Sequence, residues 1–368
     1  MCAAAVIFAI ELVSYALDSS LFFSKRIIPS VWQISYFVIL AVSMNLVLGY
    51  MGQLSLGHCG FMAVGAYTSA LVSLAVERAL CGYGSFASGE ITAAAYREIA
   101  GEYRESILYV FVIFISVLIG AVLAAAAGFV CALPSMKLKG DYLSVITLGF
   151  GMVIVNVINN LSFAGGDGLS HGNASSALYK TGLGLNSVLM RKYVWLALVF
   201  TAVSVAVMYM YVSSKYGRNI RAIRDDEIAA ESSGIDVVKN KITTFVLSSF
   251  FAGIAGGLYA CCTKSISTVD FAFSNSGILN SVFIVVIVIF GGMGSFSGSV
   301  VSAIVLYIIN YLIKQSGLQN VNGIIGTFFG YPMLCYALLL IITVMLKPDG
   351  LFSMKKGLVR RKKRRSEY

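Results

Sequence analysis

The sequence predicts an all-α polytopic membrane protein with about ten transmembrane helices, Gly-rich broken or re-entrant segments, and both termini on the cytoplasmic side (N-in/C-in). Hydrophobic residues make up 58% of the 368 and charged residues only 12%, where an ordinary soluble domain carries about 25% charge. With a mean hydropathy of +0.85, a water-soluble fold could not bury so much apolar surface. Apolar runs long enough to cross a bilayer, about 17 to 25 residues each, recur along the whole length. No polar interval is long enough for a separate soluble domain, so residues 1–352 read as one transmembrane domain and 353–368 as a basic cytoplasmic tail.

Taken in order, the spans fall at 2–17, 27–50, 60–80, 107–133, 141–163, 193–212, 242–262, 278–290, 299–313 and 329–347. The first contains Glu11 and lacks a basic leading region, so it reads as an uncleaved span rather than a secretory signal. Residues 81–106 carry mixed charge at amphipathic spacing and read as an extracytoplasmic insertion with a short surface helix. Some later runs are short for a crossing, and broken segments are expected there. Lys and Arg in short loops set the orientation. The loop holding Lys137 and Lys139 is basic, as is the C-terminal tail, and ten spans place both on the side of the N-terminus. Lys25 and Arg26 fall on the other side, against that rule.

The formal charge of +10 does not point to nucleic acid, because much of the excess lies in Lys355–Arg365, directly after a span. A tail so placed meets the anionic lipid of the bilayer. Seven cysteines show no metal-ligand spacing, and the adjacent Cys261 and Cys262 fit structural packing. No metal, cofactor or catalytic residue is expected. The two histidines, His58 and His171, are far apart, and no nucleophile, base or ligand cluster gathers around either. The middles of the second to tenth spans carry no Asp, Glu, Lys, Arg or His. That absence weighs against a proton- or sodium-driven transporter, which buries ionisable residues as relays.

One interval breaks the apolar pattern. The string "RNIRAIRDDEIAAESSGIDVVKNKI" (218–242) is densely charged and overlaps a cytoplasmic loop at 213–240. Asp225, Asp226 and Glu227 place negative charge at a helix start, where the dipole favours it. Gly234 is placed to end that helix, which predicts a short helix over about 226–233. Upstream, Arg218, Arg221 and Arg224 recur every third residue while Ile220 and Ile223 point elsewhere, predicting an interfacial helix with one wet basic face. On physical grounds alone this is either a solvated loop that obeys the charge rule or a docking element for a partner protein.

Two glycine blocks stand apart in sequence: "GYMGQLSLGHCG" (49–60) and "GGMGSFSG" (291–298). "GYMGQLS" echoes "GGMGSFS", a faint internal repeat of the kind that transporters carry. Glycine at this density breaks helices or lets backbones approach closely. Irregular backbone at membrane depth is tolerated only against protein or a wet cavity, and simple close packing is the alternative. Candidates to line a passage are Asn45, Gly52, Gln53, Ser55, Asn156, Asn159, Asn160, Asn280, Ser281, Gly292, Gly294, Ser295 and Asn310. Interhelical hydrogen bonding is the duller role for the polar ones. His58, beside a glycine turn, reads as structural.

"EIAAESSGI" (227–235) resembles the EAA loop of ABC importer permeases, with Glu227, Ala229, Ala230 and Gly234 at the matching positions. The wider string from Tyr216 to Ala260 is similar, nearly position for position, to branched-chain amino-acid permeases of the LivH/LivM type, closer to LivM. The blocks at 45–70, 138–151 ("LKGDYLSVITLGFG"), 165–169 ("GGDGL"), 291–304 and 347–352 ("KPDGLF") agree with it in order. Two departures are the extended connection at 81–106 and an apolar "MVIVNV" (152–157) where polarity is expected.

The resemblance implies a permease subunit of an ATP-driven ABC importer in a bacterial inner membrane, carrying branched-chain or related amino acids. A sugar, nucleoside or amide is the alternative cargo. It further implies that Arg218, Arg221, Arg224, Glu227, Ala229, Ala230 and Gly234 couple to an ATPase. The partners would be a sister permease subunit, cytoplasmic ATP-binding subunits and an extracytoplasmic substrate-binding protein. The chain has no "GxxxxGK[ST]" phosphate loop, so ATP would be hydrolysed on a partner.

Overall fold

The computed structural model describes residues 21–80, 102–103, 106–135, 142–161, 193–263, 266–271, 281–315 and 337–341, together with 343, 345 and 347. The expected first span, nearly all of the 81–106 insertion, Lys137, Lys139, Asn280 and the basic tail lie outside the described residues.

Regular structure among the described residues is entirely helical. Helix α1 (Leu21–Asn45) runs into a π turn (Leu46–Tyr50). There follow α2 (His58–Leu80), α3 (Ile107–Ser135), α4 (Tyr142–Asn160) and α5 (Val194–Ser213). Two short helices, α6 (Lys215–Asp225) and α7 (Glu227–Ser232), then lead into α8 (Val237–Cys262). A 3-10 turn (Thr268–Phe271), α9 (Ser281–Gly291) and α10 (Phe296–Gln315) complete the order. Six helices among the described residues are long and apolar enough to cross a membrane, and the runs at Ser281–Gly291 and Phe296–Tyr311 are shorter apolar helices. The chain is a multi-pass membrane protein.

α8 is the centre, packed against α1, α2 and α3. Its stretch from Phe251 to Cys261 is buried on every side, as expected of a helix that is hydrophobic all round. Small residues make this possible: Gly65 of α2 and Gly253 of α8 meet backbone to backbone. By contrast α3, α4 and α5 hold Phe111, Ile115, Val122, Val153, Val157, Val203 and Met210 outward and exposed. Helices whose outer faces are this apolar suit lipid as solvent.

Two interruptions in the helices shape the interior. After the π turn the chain runs without regular structure over 51–57 before α2 begins at His58. The second is the turn between Gly291 and Phe296. α9 has 11 residues and is therefore about 16 Å long, roughly half the thickness of a bilayer's hydrocarbon core of about 30 Å. At the far end of α8 an aromatic cluster closes the bundle. Tyr36 packs edge-on to Tyr259 (5.6 Å) and Tyr259 to Phe271 (5.5 Å), while the Tyr259 hydroxyl donates to Asp270 Oδ2 at 3.0 Å.

Candidate functional site

The charged string folds into a helical hairpin, α6–α7, and local chemistry explains each end of α7. Asp226 takes an extended backbone that stops α6, and its carboxylate accepts from the amides of Ile228 (2.9 Å) and Ala229 (3.1 Å). That is an N-cap. At the other end Gly234 adopts φ +82°, its amide donates to Glu231 O, and that of Ile235 donates to Ala230 O. This is a Schellman closure, which needs a left-handed residue where glycine sits. The helix covers 227–232 with its caps on either side.

The hairpin carries its own small core of Ile223, Ala230 and Val237, so Ala230 points inward. Ile228 is 73% exposed, and Ala229, Glu231 and Ser232 lie exposed with it. Glu227 turns toward the membrane helices: its Oε2 lies 2.8 Å from Lys241 Nζ in the first turns of α8, with the lysine side chain only 2% exposed.

Ile220 and Ile223 are buried while Arg218 and Arg224 lie exposed and Arg221 half-buried, as the spacing predicts, but two of these arginines also bond to backbone. Arg221 donates to the carbonyls of Val212 (3.0 Å) and Gly217 (3.1 Å), closing the end of α5. Arg224 donates from Nη1 to Gly49 O at 2.7 Å and meets Asp225 Oδ1 at 3.4 Å. The reason is that helix ends and tight turns leave carbonyls without partners, and a guanidinium fork satisfies them.

Gly49 belongs to the first glycine block, and the fold places the second block directly beside it. Asn45 clasps the two: its Oδ1 accepts from Gly294 N at 2.9 Å and its Nδ2 donates to Ser295 O at 3.1 Å. Gly52 and Gly294 occupy the same place in the sequence echo, and both adopt positive φ, +74° and +80°. Arg224 packs against both glycines. One arginine of the hairpin thus touches both turns.

The other passage candidates divide. Ser55 is fully buried, and Gln53 is half-buried near it in the 51–57 stretch. Gly292 lies buried in the second turn. Asn156 and Asn160 lie on the exposed side of α4, where Asn160 Nδ2 donates back to Asn156 O, so they do not join the junction. Asn159 accepts from Thr268 Oγ1 at 3.0 Å, and Asn310 is buried in α10.

Sequence reasoning missed Lys241 as the partner of Glu227, and it missed the surroundings of His58. The His58 ring is buried, its Nε2 lying 3.0 Å from Ser43 Oγ and 3.4 Å from Ser248 Oγ. A lysine at the foot of an apolar span was the available signal for the first; nothing local marked the second.

Comparison with known proteins agrees with this architecture. Residues 27–346 match the family model described as "Branched-chain amino acid transport system / permease component". The chain is 29% identical over 340 residues to the high-affinity branched-chain amino acid transport system permease protein LivM of Escherichia coli K12, covering 87% of this chain and 68% of that one. It is 26% identical over 333 residues to a probable LivM of Methanocaldococcus jannaschii, covering 87% and 91%. A more distant relative is the ribose import permease protein RbsC of Haemophilus influenzae, 24% identical over 67% of this chain and 70% of that one. No solved structure matches the chain. With a helical membrane bundle, paired glycine turns and a match along nearly its whole length, the chain belongs to the family of branched-chain amino acid transport permeases of the ABC type.

Proposed function

We propose that this chain is one membrane-spanning subunit of an ATP-driven importer of branched-chain amino acids, moved by a separate ATPase that grips the α6–α7 hairpin. The hairpin faces the cytoplasm in this reading. The membrane is a bacterial inner membrane, with both termini inside and ten crossings in all. A sister permease completes the passage, and an extracytoplasmic binding protein delivers the cargo. Mechanically the proposal needs a rigid lever and a fixed linkage to the gate. α7 is capped at both ends and packed on its own small core, so it moves as a body.

The observation that carries the proposal is Arg224, which joins the hairpin to both glycine turns at once. Irregular backbone within a membrane protein is tolerated only against protein or a wet cavity, and the reading takes these turns as lining the passage. Relatives are named for import of ribose and fructose and for guanosine, so a sugar or nucleoside is the alternative cargo.

Arg224→Ala, in proteoliposomes holding the assembled transporter, tests the linkage. ATP hydrolysis stays within about twofold of the parent while leucine uptake falls at least about tenfold, the equivalent of roughly 1.4 kcal/mol of lost coupling. Uptake at the parent rate removes Arg224 from the path of force.

A further inference from the structure

The break at 51–57 is held at both ends, and both holds lead back to the hairpin. At its entrance Arg224 Nη1 donates to Gly49 O at 2.7 Å. At its exit stands His58, the first residue of α2. Its Nε2 lies 3.0 Å from Ser43 Oγ of α1 and 3.4 Å from Ser248 Oγ of α8. Ser248 Oγ in turn donates to Ser43 O at 2.6 Å, so one small polar knot ties the end of the break to two helices.

The route from that knot to the hairpin runs down one side of α8. Lys241, Thr244 and Ser248 follow the spacing of a single helix face, and each reaches a different neighbour. Lys241 pairs with Glu227 of α7 at 2.8 Å, Thr244 Oγ1 lies 3.1 Å from Tyr211 Oη of α5, and Ser248 meets His58. From Lys241 to Ser248 is two turns, about 10 Å along the axis, and an intact helix carries a displacement over that distance as a rigid element. The break itself is less firmly fixed. Gln53 N donates to Val47 O and Leu56 N to Thr147 Oγ1, both at 3.1 Å, but Gln53 Oε1 and Ser55 Oγ are buried with no hydrogen-bond partner among the described residues. Side chains with no bond to break leave the stretch free to follow its ends.

The neighbours also fix which ring nitrogen works. Ser43 Oγ donates to Leu40 O and Ser248 Oγ to Ser43 O, and each hydroxyl has a single hydrogen. Both hydroxyls therefore accept, and Nε2 carries the hydrogen they share. Nδ1 has no partner among the described residues, so the ring acts through Nε2. We infer that His58 is a positioning residue for transport: through Nε2 it pins the far end of the break to α8, so that a movement of the hairpin arrives at both ends of the break. The inference rests on the coupling reading above and extends it, from the direct contact at Arg224 to a second path through Glu227, Lys241 and Ser248.

The test compares leucine taken up per ATP hydrolysed in proteoliposomes holding the assembled transporter and its loaded binding protein. His58→Gln puts an amide N–H where Nε2 was, whereas His58→Asn puts one at the level of Nδ1, short of the two hydroxyls. Both variants lose the ring, and they melt within about 2 °C of each other. His58→Gln keeps the parent ratio within about twofold and His58→Asn lowers it about tenfold, the size of effect expected on a coupling path. Ser248→Ala lowers the ratio about threefold. Ser249→Ala leaves it unchanged, because that equally buried hydroxyl only bonds back to Phe245 O.

A parent ratio in His58→Asn or in Ser248→Ala overturns the inference. So does an equal loss in His58→Gln and His58→Asn, which makes the ring a filler and nothing more. Ser248→Ala is a small truncation and decides the matter even where neither His58 variant assembles. Arg224→Ala, measured alongside, separates the two readings. Its loss beside parent ratios in the others sinks only the second path, whereas a parent ratio in Arg224→Ala sinks the coupling reading at its direct contact.

Discussion

A lysine with 2% of its side chain exposed needs its charge answered close by, and Glu227 answers Lys241 at 2.8 Å while remaining 41% exposed itself. The pair is therefore asymmetric. Glu227→Gln strands a buried ammonium and destabilises the protein by about 1–3 kcal/mol, less than for a fully buried pair because solvent reaches the carboxylate side. Lys241→Met removes the charge and releases Glu227 to water, so the double variant melts close to Lys241→Met alone. Thermal melts of the purified variants check this, and melting of Glu227→Gln at the parent temperature would mean the pair contributes nothing. At this scale the sequence was half legible. Asp226 and Gly234 could be read because caps act within a turn of their own backbone. Lys241 and Arg224 could not, because the groups that fix them come from another helix and from a turn 175 residues away.

The elements themselves were legible from hydropathy, since each apolar run from 27 to 313 became a helix close to its expected limits. Facing was not. Helices that are apolar all round give no phase, so nothing in the sequence distinguished Asn45, buried at the junction, from Asn156 and Asn160, turned outward. The echo between the glycine blocks hinted at their pairing without fixing it. A substitution at the contact tests that pairing. A Cβ on Gly49 would fall 1.9 Å from Asn45 Oδ1 and 2.3 Å from Gly294 N, so Gly49→Ala expels the clasp. The expected loss is about 1–3 kcal/mol, seen as a lower melting temperature and abolished uptake. Gly149, on the exposed side of α4, has nothing within 4 Å of its added Cβ, and Gly149→Ala changes stability by less than about 0.5 kcal/mol. Equal behaviour of the two variants would deny the junction its tight packing.

At the scale of the whole molecule the hairpin and the aromatic cluster occupy opposite ends of α8, which at 26 residues and about 39 Å exceeds a hydrocarbon core of about 30 Å. In the proposed reading the two ends face different aqueous compartments, with the hairpin inside the cell. The hairpin end carries exposed Lys215, Arg218 and Lys239, and short basic loops stay on the cytoplasmic side. A drive from ATP demands the same, because the nucleotide is inside the cell. Ser232→Cys reports the sidedness directly, since Ser232 is exposed on α7 and its hydroxyl only bonds back to Ile228 O. A membrane-impermeant maleimide labels it in inverted vesicles and not in intact cells, while Ser267→Cys, ahead of the 3-10 turn, shows the reverse pattern. Adding the ATPase to stripped inverted vesicles then shields Ser232→Cys, because its neighbours Ile228 and Ala229 are the apolar surface a partner would cover. Labelling of Ser232→Cys from outside intact cells would place the lever where no ATPase can reach it, and the coupling proposal would fall with it.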